Sequence, residues 1–179
     1  MYPVLKNVIC RGELSTPEKL DLVLIASKME GSSLNLKRFP GIIIRKHSPK
    51  GTISLFRSKK FIVLGCCSIS AAECLSKKLV KDLKKVLNID ISLQKFEVTN
   101  LVATGEVGFK INIQELCQES YALKDDKYPG VYLSNMEIKR AAVFRSGKVI
   151  LNGATSEEIL NKAFQKIVCL LKKFREEEK

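Results

Sequence analysis

Hydrophobic and polar positions follow two periods along this chain, and the same succession of periods occurs twice. Apolar alternation over residues 3–11, and again over 95–111, predicts a strand at the head of each half. A short helical pattern follows over 19–29 and over 113–121. In Lys19–Met29, Leu20, Val23, Leu24 and Ser27 fall at helical spacing and form the expected buried side. Three strands come next in each half: 41–46, 52–57 and 60–65, then 130–134, 139–145 and 148–152. Pro49-Lys50-Gly51 and Ser146-Gly147 supply turn chemistry between them. Each half closes with a long amphipathic helix, over 69–87 and 156–174. Leu75, Leu79, Leu83, Val86 and Leu87 line one side of the first. Ile159, Leu160, Ala163, Phe164, Ile167, Val168, Leu171 and Phe174 line one side of the second. Ser70-x-x-Glu73 and Thr155-x-x-Glu158 are the expected capping boxes.

The two halves also share words. Asn7-Val8-Ile9-Cys10-Arg11-Gly12-Glu13-Leu14 returns as Asn100-Leu101-Val102-Ala103-Thr104-Gly105-Glu106-Val107. Phe39-Pro40-Gly41 returns as Tyr128-Pro129-Gly130, and Phe56-Arg57-Ser58 as Phe144-Arg145-Ser146. The offsets are 93, 89 and 88 residues, so only loop lengths have drifted. A period near 90 is too long for a solenoid. It implies two copies of one small α+β unit, 1–90 and 91–179, in one continuous, pseudo-symmetric core domain. The connection Asn88–Gln94 is short and is not a flexible linker. Strands and helices of this order make a sheet with its helices on one side.

The other side then needs explaining. Strand side chains alternate between faces. With Phe56 and Phe144 outward, that face carries Asn7, Ile9, Ser54, Ile62 and Leu64 in the first half. It carries Asn100, Val102, Ala142, Ile150 and Asn152 in the second. This set contains no Asp or Glu, and Arg45, Arg57, Lys60, Arg145 and Lys148 stand near its rim. Alternation leaves the parity open, because 61–65 and 149–151 are apolar throughout and the same residues could be core. If both faces are apolar, helices cover one, and a ligand or partner must cover the other.

Composition narrows the partner. Of 179 residues, 45% are hydrophobic and 28% charged, which fits a globular chain. The net charge is +12, concentrated in residues 1–90, with 17 Lys and Arg against 7 Asp and Glu. A basic balance without a signal peptide or membrane span points to an intracellular protein with a polyanionic partner. Lys77, Lys78, Lys81, Lys84 and Lys85 stripe the first long helix, either as a solvated side or as a surface for phosphate or an acidic partner. The six cysteines lack a C-x-x-C pair and a histidine close by, so mostly buried, reduced thiols are expected rather than zinc or disulfides. No nucleophile–base–orienter trio and no phosphate-cradling loop is visible. Cys66-Cys67 near a helix start is the one thiol that could be activated. The chain is therefore expected to be no enzyme and to need no cofactor.

An apolar sheet rimmed by Lys and Arg suits the minor groove of DNA, whose A·T edge presents only acceptors. Amide donors and small aliphatics can read that edge, and aromatic wedges can enter base steps. In its motifs the chain resembles the TATA-box-binding protein family over nearly its whole length. The resemblance is carried by Lys19-Leu20-Asp21-Leu22 eighteen residues before Lys37-Arg38-Phe39, by Val107-x-Phe109-x-Ile111-x-Ile113, and by the repeated words above. It implies an α+β saddle, in which two pseudo-symmetric repeats form a ten-stranded curved antiparallel sheet with helices on the convex side. It also implies a transcription initiation factor that binds and bends AT-rich promoter DNA.

By motif position, Phe39 with Phe56, and Tyr128 with Phe144, would be wedge pairs, and Asn7 and Asn100 central donors. Ile9, Ile62, Val102 and Ile150 would be the aliphatic floor, and Arg45, Lys60 and Lys148 would meet phosphates. The resemblance further implies transcription factor IIB-like and IIA-like partners and the RNA polymerase machinery, with Lys124, Asp126, Lys77 and Lys81 as contact positions. It implies a nuclear location, or a cytoplasmic one for a viral or archaeal source. Leu64 and Asn152 depart from the family pattern, as do Tyr128, Ser54, Ala142 and Lys124; Ser134 stands where the mate of Arg45 belongs. These departures leave a second reading open: a paralogue of the same fold acting mainly as a protein-interaction platform.

Overall fold

A computed structural model describes residues 2–134 and 136–176. In chain order the elements are β1 (Val4–Ser15), α1 (Leu22–Lys28), β2 (Ser32–Leu34), β3 (Gly41–His47), β4 (Lys50–Phe56), β5 (Lys60–Cys66) and α2 (Ile69–Leu87). After these come β6 (Ser92–Glu106), α3 (Ile113–Leu116), β7 (Ala122–Lys124), β8 (Val131–Leu133), β9 (Arg140–Val143), β10 (Lys148–Ala154) and α4 (Glu157–Leu171). The fold is α+β, with ten strands in one antiparallel sheet in the order β2-β3-β4-β5-β1-β6-β10-β9-β8-β7. No helix among the described residues is long and apolar enough to cross a membrane.

Two compact units are present. One comprises Asn7–Thr99; the other combines the residues up to Lys6 with those from Asn100 onward. These cuts differ from the repeat boundary near residue 90, because β1 and β6 each contribute residues to both units.

In the first unit, β1 buries Val8, Cys10 and Leu14, β3 buries Ile42 and Ile44, β4 buries Ile53 and Leu55, and β5 buries Phe61 and Val63. Leu75, Leu79 and Leu83 of α2 pack on these side chains from one side. Lys46 belongs to the same inward parity and reaches Asp82 of α2 at 3.0 Å. In the second unit Leu101, Ala103, Val131, Leu133, Ala141, Val143, Val149 and Leu151 are buried with Leu160, Phe164, Ile167 and Leu171 of α4. Each fully buried large aliphatic or aromatic side chain contributes roughly 1.5–3 kcal/mol relative to exposure.

Several expectations need correction. In α1, Val23 is 59% exposed and Leu24 36%, while Leu20, Leu22, Ile25 and Met29 are buried. Asp21 caps the helix by accepting from the amides of Val23 and Leu24 at 2.9 and 3.1 Å, which sets a phase that the unbroken apolar run 22–25 left open. The long helices are capped not by Ser70 and Thr155 but by Ser68 and Ser156, whose hydroxyls accept from Ala71 N and Ile159 N. Both caps have extended backbone; Ser70 lies inside α2 and cannot supply it, and Thr155 stands one residue before the cap of α4. The segment 113–121 holds only one helical turn, Ile113–Leu116. The short strands β2 and β7 lay outside the sequence reading, because three residues cannot show a period.

Candidate nucleic-acid interface

The side of each unit turned away from its long helix carries the residues proposed for recognition. In the first unit, every second residue of each strand points there: Asn7 and Ile9 on β1, Ile43 and Arg45 on β3, Ser54 and Phe56 on β4, and Lys60, Ile62 and Leu64 on β5. Ile9, Ile43, Phe56 and Ile62 are half-buried, whereas Leu64 and the basic residues are exposed. The parity that alternation left open is thus settled by Phe61 and Val63, which are buried on the helix side. Ser54 is more enclosed than its strand neighbours, at 8% exposure.

Phe39 and Phe56 stand as a tilted pair with ring centroids 5.5 Å apart. Gly41 lies opposite Phe56 in the β3–β4 register, and a Cβ there would come within 3.0 Å of both rings and 2.7 Å of the Leu55 carbonyl. The glycine two residues after Phe39 is therefore a steric requirement of the aromatic pair. Gly130 does the same beneath Tyr128 and Phe144, whose centroids are 5.7 Å apart.

Asn7 is oriented by the backbone. The register between β1 and β5 slips between Val8 and Cys10, and Gly65 enters the left-handed region at φ +83°. Its N–H donates to Asn7 Oδ1 at 2.7 Å. An N–H can only donate, so the Asn7 oxygen is committed to Gly65, and the NH₂ group has no partner among the described residues. The second unit repeats the slip, between Asn152 and Ala154 of β10, with Gly153 at φ +105°.

The expected carboxylate-free surface does not hold. β1 continues to Ser15, which carries Glu13 onto the open side opposite Lys60. Glu13, Glu97, Lys95, Lys60, Phe56 and Ile62 border a cleft of about 400 Å³. Glu97 is paired with Lys95 at 3.1 Å. In the second unit Glu106 lies opposite Lys148. Lys60 and Lys148 therefore each face a carboxylate across the strand pair, which reduces the local positive potential. Arg145, another rim cation, is engaged by Glu176 at 2.8 Å, and that partner raises the guanidinium pKa and lowers that of the carboxyl. Arg57 remains exposed.

Asn100, Val102, Phe144 and Ile150 occupy the open side of the second unit half-buried, with Asn152 and Lys148 exposed. Ala142 is 4% exposed, because Tyr132 faces it directly across β8–β9. Tyr132 was missed in the sequence reading. Its ring stacks on Tyr128, with centroids 4.7 Å apart and planes 8° from parallel. The Arg140 guanidinium also lies over the Tyr132 ring, 4.6 Å from its centroid. Burial, followed by the neighbouring Tyr132 and the hydrogen bond to it, raises the Tyr128 phenol pKa. Such a stack adds about 0.5–1.5 kcal/mol beyond area burial. The missed signal was alternation: Tyr132 has the parity of Ile43 in the first unit, and Ala142 leaves room for a ring.

Lys124 donates to the Tyr128 carbonyl at 2.9 Å, so it ties the loop that carries Tyr128. Asp126 is exposed beside it, and Lys77 and Lys81 are exposed on α2. Of the other stripe residues, Lys84 pairs with Asp90 at 2.9 Å and Lys78 donates to the Ser48 carbonyl at 3.2 Å.

The thiols also depart from expectation. Only Cys10 and Cys66 are buried; Cys67, Cys74 and Cys169 are exposed and Cys117 is intermediate. Burial and then Cys67 push the Cys66 pKa up, contrary to the activation considered for it. Burial, with Cys66 and Glu73, pushes Cys10 up to about 11.

Comparison with known proteins gives a consistent result. The family model described as "Transcription factor TFIID (or TATA-binding protein, TBP)" matches residues 3–86 and 95–174. The chain is 34% identical over 181 residues to TATA-box-binding protein 2 of Entamoeba histolytica, covering 99% of this chain and 84% of that one. It is 31% identical over 182 residues to the TATA-box-binding protein of Tetrahymena thermophila, covering 99% and 73%. The solved structure of Methanococcus jannaschii TBP superposes with a TM-score of 0.85 at 27% identity, covering 97% of this chain and 99% of that one.

Proposed function

The chain belongs to the TATA-box-binding protein family, and from that premise we propose that it is a transcription factor whose open sheet side binds AT-rich promoter DNA in the minor groove. The observation that carries this reading is the pairing, in each unit, of an aromatic couple with an uncovered aliphatic floor. Ile9 and Ile62 form the floor in the first unit, Val102 and Ile150 in the second. Asn7, with its oxygen committed to Gly65, offers donors to the acceptors of the A·T edge. Asn100 has the same place in the second repeat. A guanine amino group would abut the aliphatic floor and find no acceptor there.

Kinking by inserted side chains is the known behaviour of TATA-binding proteins as a group. It comes to this chain with the family, with Phe39 and Phe56 as one wedge and Tyr128 and Phe144 as the other. Arg45, Lys60 and Lys148 meet phosphates at the rim. Bent DNA then nucleates a preinitiation complex through exposed surfaces. Asp126 is offered to a IIB-like factor, Lys77 and Lys81 to a IIA-like or other acidic one. The family is one of DNA-binding factors rather than catalysts, and in a eukaryotic source its place is the nucleus.

A fluorescence-anisotropy titration of AT-rich and GC-rich duplexes at matched salt tests the reading. Tighter binding to the AT-rich duplex is expected. Equal affinity would reject the groove-floor reading. It would favour a protein-interaction platform, which the stacked and therefore retained Tyr128 makes the specific second reading.

A further inference from the structure

The second unit lacks the arginine that repeat symmetry asks of it. In the first unit Arg45 on β3 lies opposite Thr52 on β4. In the second, Ser134 follows β8, and its hydroxyl and amide both donate to the Tyr121 carbonyl, at 3.1 and 2.9 Å. Ser134 is thus used within its own loop. The β8–β9 register pairs Leu133 with Ala141, and continuing it by one residue brings Ser134 opposite Arg140. Arg140 is itself the repeat mate of Thr52, at the offset of 88 that relates Phe56 to Phe144. By register, then, an arginine position and a hydroxyl position stand across the strand pair in each repeat with the residue types exchanged: Arg45 across from Thr52 in one, and Arg140, by extension of the ladder, across from Ser134 in the other.

Arg140 has the parity of the open side. It lies opposite Asn152 in the β9–β10 register, and its guanidinium carbon stands over the Tyr132 ring, 4.6 Å from the centroid. It is exposed and its charge is not engaged by Asp or Glu among the described residues. The ring holds the group through its charge, and no carboxylate among the described residues takes up its N–H donors. Tyr132 in turn holds Tyr128, whose carbonyl is also tied by Lys124.

We infer that Arg140, aimed by Tyr132, is a phosphate contact of the second unit beside Lys148 and replaces the arginine absent at Ser134. This rests on the proposal that the open side binds duplex DNA. Its partner is a backbone phosphate, a contact that positions the protein and carries no base preference.

The test is the salt dependence of binding to a labelled AT-rich duplex, for wild type, Arg140→Ala, Arg140→Lys, Ser134→Ala, Arg45→Ala and Phe56→Ala. Each lost phosphate contact lowers the slope of log K against log salt by about 0.9. Arg140→Ala is expected to lower it by that amount, as is Arg45→Ala, while Arg140→Lys and Ser134→Ala keep it. The charge-retaining lysine separates a phosphate contact from a mere brace for Tyr132, which lysine would serve poorly. A normal slope in Arg140→Ala alongside a reduced slope in Arg45→Ala would overturn the inference and leave the open-side reading standing. Unchanged affinity and slope in Arg45→Ala, Phe56→Ala and Arg140→Ala together would overturn both. Thermal melts of each variant establish that the folded protein is what is being titrated.

Discussion

Replacing Asn7 with aspartate separates recognition from folding at one atom. The Asn7 oxygen accepts from Gly65 N–H at 2.7 Å. Aspartate keeps that acceptor at the same place, and a charged acceptor makes the bond stronger. What changes is the other half of the group: two N–H donors become a second carboxylate oxygen. Opposite the acceptors of the A·T edge, each lost donor removes about 0.5–1.5 kcal/mol, and an acceptor left facing a like acceptor costs about 1–3 kcal/mol. A conservative total of about 2 kcal/mol corresponds to roughly 30-fold weaker binding. Asn7→Ala loses the donors without adding repulsion, so it should weaken binding less. For stability the order reverses, because only alanine breaks the bond to Gly65. Anisotropy titrations on an AT-rich duplex and thermal melts of the three proteins check both orders. If aspartate binds within twofold of wild type, or if alanine binds worse than aspartate, Asn7 serves the β-bulge and not the groove.

Two further outcomes follow from other parts of the molecule. Tyr132→Ile, which installs the residue type of Ile43, removes the stack that retains Tyr128. The DNA bend measured by energy transfer between labelled duplex ends should increase, and an unchanged bend would mean that the stack does not restrain the wedge. The Cys10 thiol sits above the ordinary value of 9.0, at about 11. The folded state therefore holds this proton more tightly than the unfolded chain. The stability it contributes is complete below pH 9 and falls by about 1.4 kcal/mol per pH unit between about 9 and 11. Melts of wild type and Cys10→Ala should converge across that window, and parallel profiles would contradict the assignment.

Much of this protein is legible in its sequence because much of it depends on residues near one another along the chain. The helix 69–87 shows its apolar stripe and ends at those same residues, since its periodicity runs through five turns. The repeated words placed Phe39 and Phe56, and Tyr128 and Phe144, in like positions, and the proximity of each pair follows from the Gly at the strand start. The direction of the open side required one fact from packing, the burial of Phe61 and Val63 under α2. The phase of α1 required its cap.

Tertiary structure alone decided what stands opposite what. A period of two assigns a residue to a face, but not to a partner on the neighbouring strand. That choice belongs to register, which hydrogen-bonded pairing and bulges set between segments distant in sequence. The slip at Val8/Cys10 delivers the Gly65 amide to Asn7. The β8–β9 register lays Tyr132 over Ala142 and, extended one residue past Leu133 and Ala141, brings Arg140 opposite Ser134. The extension of β1 to Ser15 adds Glu13 to the open side. From the sequence alone, Ser134 reads as a missing cation. In the folded chain the guanidinium is present one strand away, because alternation preserves the face while the position across the strand pair is free to exchange.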